Sequence, residues 1–100
     1  MAKYINQSGD TGGGDLTLLQ KHVNRIVVKS ITITCTHASN DLVIDRLYLD
    51  NGTNEFDILH AVTVPLGATL LLDEGFNYDF KNFDLKIDTS GSSSCSIIII

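Results

Sequence analysis

Cysteine and histidine are the side chains of this sequence that could hold a transition metal, and they are few. The chain has two cysteines, Cys35 and Cys95, and three histidines. A tetrahedral zinc site needs about four such ligands at suitable spacing, and His37 is the histidine near a cysteine in the sequence. On a strand, Cys35 and His37 would share one face with no further ligand beside them. We therefore predict no metal, no cofactor and two free core cysteines, and a disulfide between them stays open.

Carboxylates crowd two segments that could in principle bind calcium. An EF-hand loop alternates Asp or Asn with other residues, places Gly at its centre and ends on a bidentate Glu. The segment 50–61, DNGTNEFDILHA, has its glycine too early and ends on alanine. The segment 73–79, DEGFNYD, does not follow the pattern either. We expect solvated loops at both places.

Catalysis would require an acid, a base or a nucleophile within reach of one another, and the spacing does not provide it. His60 falls on one predicted strand face with Phe56, Ile58, Val62 and Val64, which indicates a rim or core histidine. The serines from Ser90 to Ser96 lack the Gly-x-Ser-x-Gly elbow of hydrolases. GDTGGGD (9–15) ends on an aspartate that would repel phosphate, where a P-loop has lysine. We predict that the protein is not an enzyme.

The charge balance excludes further classes of protein. The net charge is −5 and the pI is near 4.8, whereas binding of nucleic acid needs clustered cations. No apolar stretch approaches the roughly 20 residues that cross a bilayer, and MAKYINQSGD does not resemble a signal peptide. We expect no nucleic acid and no membrane as partner. Charged residues are 19% of the chain, below the roughly 25% of typical domains, which favours a surface covered by a partner.

Alternating strands must position all of these residues. In RIVVKSITITCTH (25–37), isoleucines and a cysteine alternate with threonines, and a bulge near Lys29 and Ser30 would reconcile the apolar residues upstream. LVIDRLYLD (42–50) and EFDILHAVTVP (55–65) flank an Asn-Gly hairpin signal. Turn signals recur about every 8–12 residues. The pattern predicts an all-β fold: a single antiparallel β-sandwich, jelly-roll or immunoglobulin-like, of roughly seven or eight strands.

The glycine-rich segment near the N-terminus sets the predicted domain boundary. Three consecutive glycines at 12–14 cannot hold regular structure cheaply. We therefore predict an arm and flexible loop over residues 1–15, in which Ala2–Asn6 could form a short strand, and a sandwich domain over residues 16–100.

The C-terminal stretch SSSCSIIII (92–100) is apolar on both sides of its predicted strand. One parity holds Cys95, Ile97 and Ile99, and the other holds Ser96, Ile98 and Ile100. A strand with one wet face should alternate apolar and polar residues, so the core explains one side only. We predict that Ile98 and Ile100 contact a neighbouring subunit, and that Tyr4 in the N-terminal arm joins that interface.

The stretch LHAVTVPLGATLLLDEGFNYDFKNFDLKIDTS (59–90), together with the closing isoleucines, resembles small structural proteins of tailed bacteriophages, especially phages of marine bacteria and cyanobacteria. The matching positions are Val62, Val64, Pro65, Gly67, Thr69, Leu70, Leu72, Tyr78, Asp79, Leu85, Ile87 and Ile97–Ile100. The resemblance covers most of residues 25–100. The triglycine loop is unusual for that group, and its closing Arg or Lys is absent.

The resemblance implies a sandwich without an active site that serves in the virion. We expect a capsid decoration or cement protein, working as a symmetric homo-oligomer such as a trimer, with the major capsid protein or tail proteins as partners. It would be assembled in the host cytoplasm. Two alternatives stay open: a tail, neck, baseplate or fibre component, and a carbohydrate- or receptor-binding module that uses Tyr48 and the 73–79 loop.

Overall fold

The alternating segments form eight β-strands in the residues that the computed structural model describes, which are 3–7, 15–25, 27–73, 78–90 and 93–100. The strands are β1 (Lys3–Gln7), β2 (Asp15–Leu19), β3 (Ile31–Cys35), β4 (Leu42–Asp50), β5 (Glu55–Val64), β6 (Thr69–Leu72), β7 (Asp84–Ser90) and β8 (Cys95–Ile99). Within these ranges, no helix is long and apolar enough to cross a membrane. The triglycine loop lies outside the described residues, and the boundary at residue 15 stays a prediction.

The strand pairing is nested: strands from the two halves of the sequence pair in order, from the outermost pair to the innermost. The first strand pairs with the last, β2 with β7, β3 with β6 and β4 with β5, always antiparallel. Two further pairings, β3 with β8 and β4 with β7, complete two four-stranded sheets of order β1-β8-β3-β6 and β2-β7-β4-β5. The predicted all-β antiparallel sandwich is confirmed. This nested strand order is that of a jelly roll, so the immunoglobulin-like alternative is not adopted.

The core lies between the inner faces of the two sheets. Ile31, Ile33 and Cys35 of β3 are buried, as the alternation with threonine predicts. From the other sheet, Leu47 and Leu85 are fully buried against them in the same cluster. Each such aliphatic side chain contributes about 1.5–3 kcal/mol through its removal from water. The contribution is spread over strands that are distant in sequence, which ties the two ends of the chain together.

The bulge expected near Lys29 and Ser30 is visible in the backbone hydrogen bonds. Both amide groups donate to the single carbonyl of Ile100, at 2.5 and 2.9 Å. Two residues opposite one is the arrangement of a β-bulge. It changes the parity of the chain, so that Val28 is 9% exposed while Val27 is 77% exposed.

The prediction that one face of β5 runs from Phe56 through His60 to Val64 is wrong. Ala61 has a left-handed φ of 54°, and the alternation changes there. Leu59, not His60, pairs with the buried Leu47. His60 is exposed instead, with its Nδ1 3.1 Å from a carboxylate oxygen of Asp57. The left-handed Ala61 and the register shift at Ile58, opposite Leu47 and Tyr48, are two irregularities with no sequence signal, and together they move the histidine off the core face.

Candidate functional site

The outer face of the sheet β1-β8-β3-β6 has no charged side chain among its central residues. We call it the uncharged face, and it consists of Tyr4, Asn6, Ser30, Thr32, Thr34, Thr69, Leu71, Ser96, Ile98 and Ile100. Its members alternate with buried residues such as Ile31 and Ile99 in β3 and β8, and with half-buried residues such as Leu70 in β6 and Ile5 in β1. Asp73, directly after β6, and Lys29, whose amide donates to the carbonyl of Ile100, are charged residues at its border.

The strand register sorts this face into rows. Tyr4 lies opposite Ile98, Ile98 opposite Thr32, and Thr32 opposite Leu71, so one mainly apolar row crosses all four strands. The neighbouring row is polar and uncharged; it consists of Asn6, Ser96, Thr34 and Thr69. In that row the hydroxyls of Thr34 and Thr69 are 3.0 Å apart, within hydrogen-bond distance. The face therefore offers an apolar row flanked by hydroxyl and amide groups.

All three residues predicted for the interface lie on this face. Tyr4 is 73% exposed and Ile100 is 49% exposed, whereas Ile98 is partly covered between them and its neighbours. Tyr4 and Ile98 line a shallow depression of about 280 Å³ over the junction of β1 and β8. The two isoleucines are adjacent on one parity of β8 and its continuation, and Tyr4 lies opposite Ile98 because β1 pairs with β8.

One member of the apolar row, Leu71, is missing from the sequence prediction. Its side chain is 55% exposed, while Leu70 and Leu72 on either side pack against the core. The signal was present, because TLLL (69–72) breaks the alternation of a half-wet strand in the same way as the closing isoleucines.

The nearest cation of β1 does not belong to this face. The Lys3 ammonium donates a hydrogen bond to the carbonyl of Leu18 in β2. It therefore ties the edge of one sheet to the edge of the other. This contact holds the Lys3 ammonium away from the row through Tyr4.

The outer face of the other sheet is chemically different, because it is crossed by ion pairs. Arg46 lies 2.8 Å from Glu55 and 3.9 Å from Asp57, and Lys86 lies 2.8 Å from Asp50. The hydrogen bond from Lys86 lowers the pKa of Asp50, and the hydrogen bond to Glu55 raises the pKa of Arg46. All of these charges are paired; Glu55 and Asp57 keep contact with water, whereas Lys86 and Asp50 are more covered.

Tyr48 belongs to this charged face but cannot serve as the sugar platform that the sequence suggested. Its ring is 0% exposed, with the Arg46 guanidinium 3.9 Å from the ring centroid. The arginine head group thus lies over the ring in a cation–π contact. The other suggested sugar contact, the 73–79 loop, lies largely outside the described residues.

A second depression, of about 480 Å³, lies at the end of the sandwich where the 20–24, 51–54 and 79–83 loops meet. It is lined by Lys21, His22, Asn51, Thr53, Lys81, Asn82 and Phe83. The neighbouring carboxylates already have hydrogen-bond partners. Asp84 accepts a hydrogen bond from the backbone amide of Lys21 at 2.7 Å, and Asp79 accepts one from the side-chain amide of Asn82 at 2.7 Å. Cations and carboxylates balance here, so this polar depression does not single out an anion.

The carboxylates of this region are unsuited to acid catalysis. The pKa of Asp79 is lowered by the hydrogen bond from the Asn82 side chain, and the pKa of Asp50 is lowered by Lys86. Both groups stay ionised at neutral pH, so neither holds a proton to donate. In the described part of the chain, no three His, Cys, Asp or Glu side chains cluster as a metal site would require.

Comparison with protein-family models, with curated proteins and with solved structures finds no match to this chain. The resemblance to structural proteins of tailed phages therefore stays a prediction from the sequence.

Proposed function

We propose that the protein is a non-enzymatic structural component of a tailed-phage virion, a capsid decoration or cement protein that works as a symmetric homo-oligomer. The observation that carries the proposal is the uncharged face, with Tyr4, Leu71 and Ile100 about half exposed or more. The resemblance in the sequence and the jelly-roll fold, which is common in capsid proteins, point in the same direction. The partners would be the major capsid protein and further copies of the chain.

The energetics favour contact through this face. Burying a half-exposed leucine, isoleucine or tyrosine gains about 1 kcal/mol. None of the ten side chains that define the face is ionised, so none of them has to lose the water around a charge, a loss that costs several kcal/mol. Two copies each carry a net charge of −5 and repel one another elsewhere on their surfaces. The uncharged face is where they can meet without opposing like charges. Modest contacts repeated over a lattice become strong through multivalency.

The first test is mass spectrometry of purified particles. The proposal expects the protein in mature virions, and its absence from them would contradict the proposal. Hundreds of copies per particle would agree with a shell protein, while a few to tens would favour the alternative, a tail, neck, baseplate or fibre component.

The second test places the contact on the uncharged face. We expect Ile98→Asp to fold but to lose incorporation into particles and self-association. Val43→Asp is a matched control, because Val43 is also a β-branched residue on the outward parity of an inner strand, but in the other sheet. Equal loss in both variants would contradict the assignment of the interface to this face.

The polar depression supports a second candidate, a carbohydrate- or receptor-binding module. Two amide side chains, a threonine hydroxyl and the ring of Phe83 line it, a combination that can bind sugar hydroxyls and pack against a sugar ring. A glycan array would test this with Asn82→Ala as the binding variant and Ile98→Asp as the control. Binding that survives Asn82→Ala would exclude the depression as the sugar site.

A further inference from the structure

Cys35 and Cys95 lie directly opposite each other where β3 pairs with β8. Both side chains face the core and are 2% exposed, and the two thiols are unbonded in the structure. They come from positions far apart in the sequence, so only the nested strand pairing brings them together.

The backbone hydrogen bonds define the kind of antiparallel pair that the cysteines occupy. Ser30 and Ile100 exchange both amide-to-carbonyl bonds, each 2.9 Å long, and the amide of Thr36 donates to the carbonyl of Ser94 at 3.0 Å. Even-numbered positions along β3 are therefore the hydrogen-bonded pairs with β8. Cys35 and Cys95 form a non-hydrogen-bonded pair, in which Cα atoms are typically about 4.5 Å apart and side chains approach most closely. That separation lies within the roughly 4.4–6.8 Å that a disulfide spans.

We propose that Cys35 and Cys95 are a modification site, a thiol pair that a small-molecule disulfide converts into an intramolecular cross-strand disulfide joining β8 to β3. One thiolate attacks the reagent RSSR and releases RS⁻, which leaves a mixed disulfide on the protein. The second thiolate attacks the protein sulfur of that mixed disulfide and releases the second RS⁻. The protein loses two protons and two electrons, and the reagent becomes two RSH. The site does not depend on the proposed function.

The surroundings of Cys35 tolerate the loss of its hydrogen. Its thiol donates to the carbonyl of Asn40 at 3.3 Å, and the hydroxyl of Ser93 donates to the same carbonyl at 3.2 Å. After oxidation the carbonyl keeps the hydroxyl bond. The disulfide therefore leaves no buried acceptor without a donor.

The location of the pair decides how fast it reacts. Cys35 is the last residue of β3 and Cys95 is the first residue of β8, and strand ends open locally at lower free energy than strand centres. Burial, and then the neighbouring Cys35, raises the pKa of Cys95. Thiolate is the attacking species, so the reaction is slow at neutral pH and faster as the pH rises.

The disulfide would fasten a central strand of its sheet. β8 lies between β1 and β3, so peeling it away separates three strands at once. The cross-link also closes the long chain segment between positions 35 and 95, which restricts the unfolded state. Oxidation after folding therefore makes the sandwich harder to unfold without changing its outer faces.

The test uses the intact protein, dilute enough to suppress intermolecular bonds, incubated with oxidised glutathione under native conditions. We expect the mass to fall by two hydrogen atoms, and trypsin digestion to release peptides 30–46 and 87–100 joined through Cys35 and Cys95. The melting temperature should rise by about 5 °C or more and return on reduction. The reaction rate should increase with pH.

Two outcomes would overturn the proposal. One is a native protein that keeps both thiols, or gains only glutathione, over a time in which the denatured chain is oxidised. The other is a rise in melting temperature that persists in Cys95→Ala, which cannot form the bond. The peptide analysis on the unmodified sequence stands by itself if the alanine variant does not fold.

Discussion

Ile97 and Ile98 are neighbours with the same side chain in opposite environments. Ile97 is 0% exposed in the core, and Ile98 lies in the apolar row of the uncharged face. At this scale the side-chain type is uninformative, because only the parity of the strand tells the two apart. A substitution that introduces a charged side chain should therefore affect the stability of the protein differently at the two positions.

We expect Ile97→Asp to lose more than about 4 kcal/mol of unfolding free energy, because it places an unpaired carboxylate in the core. Ile98→Asp should lose about 1 kcal/mol, since its carboxylate stays in contact with water. Chemical denaturation of both variants measures the difference. Equal losses would mean that the two sides of β8 are alike.

Tyr78 makes the unfolding free energy of the protein fall as the pH rises into the alkaline range. Burial is the main cause that raises its pKa to about 12, with Asp84 and Asp79 contributing, whereas an unfolded tyrosine has a pKa of about 10. The folded protein thus keeps a proton that the unfolded chain releases. Its contribution to stability is complete below pH 10 and is lost as the pH rises towards 12.

The variant Tyr78→Phe isolates this effect. Between about pH 10 and 12 we expect the wild type to lose of order 2 kcal/mol more unfolding free energy than the variant. At neutral pH the variant should be at least as stable, because the Tyr78 hydroxyl has no hydrogen-bond partner among the described residues. Urea denaturation across this pH range is the measurement, and parallel curves would show that Tyr78 ionises alike in both states.

At the scale of elements, β1 is the edge strand that covers β8. It contributes five cross-strand pairs to β8, and Ile5 packs against the core. Without it, the backbone groups along one side of β8 would face solvent and could pair with another chain.

Removing residues 1–7 should therefore lower the unfolding free energy by about 2 kcal/mol or more and promote aggregation. Denaturation together with static light scattering measures both effects. Removal of residues 1–2, which precede β1, is the matched control and should change neither. If the chain without residues 1–7 kept its full unfolding free energy, β1 would be dispensable for the fold.

For the whole molecule, the contrast between the two outer faces matters most. One face is crossed by the ion pairs of Arg46 and Lys86, and the other has the apolar row. A chain with a net charge of −5 has few other places where copies can meet without repulsion. The salt dependence of the proposed association would report which face is used.

We expect self-association to hold or strengthen as the salt concentration rises from about 0.05 to 0.5 M, because salt screens the repulsion between copies and the uncharged face has no ion pair to weaken. Sedimentation equilibrium measures this. Dissociation by salt would instead point to the charged face, and Arg46→Met, which removes ion pairs there, would then weaken association.

The sequence by itself determined the strand content, the core parity of β3 and β8 and the unexplained second side of the closing isoleucines. These are local, because alternation along one strand needs no knowledge of its partners. Only the tertiary structure decided between jelly roll and immunoglobulin-like order, placed Leu71 beside Ile98 and Tyr4, and set Cys35 against Cys95. It also buried Tyr48 and exposed His60. Those outcomes depend on which strands pair and where a kink changes parity, and pairing between distant segments leaves no mark in either segment alone.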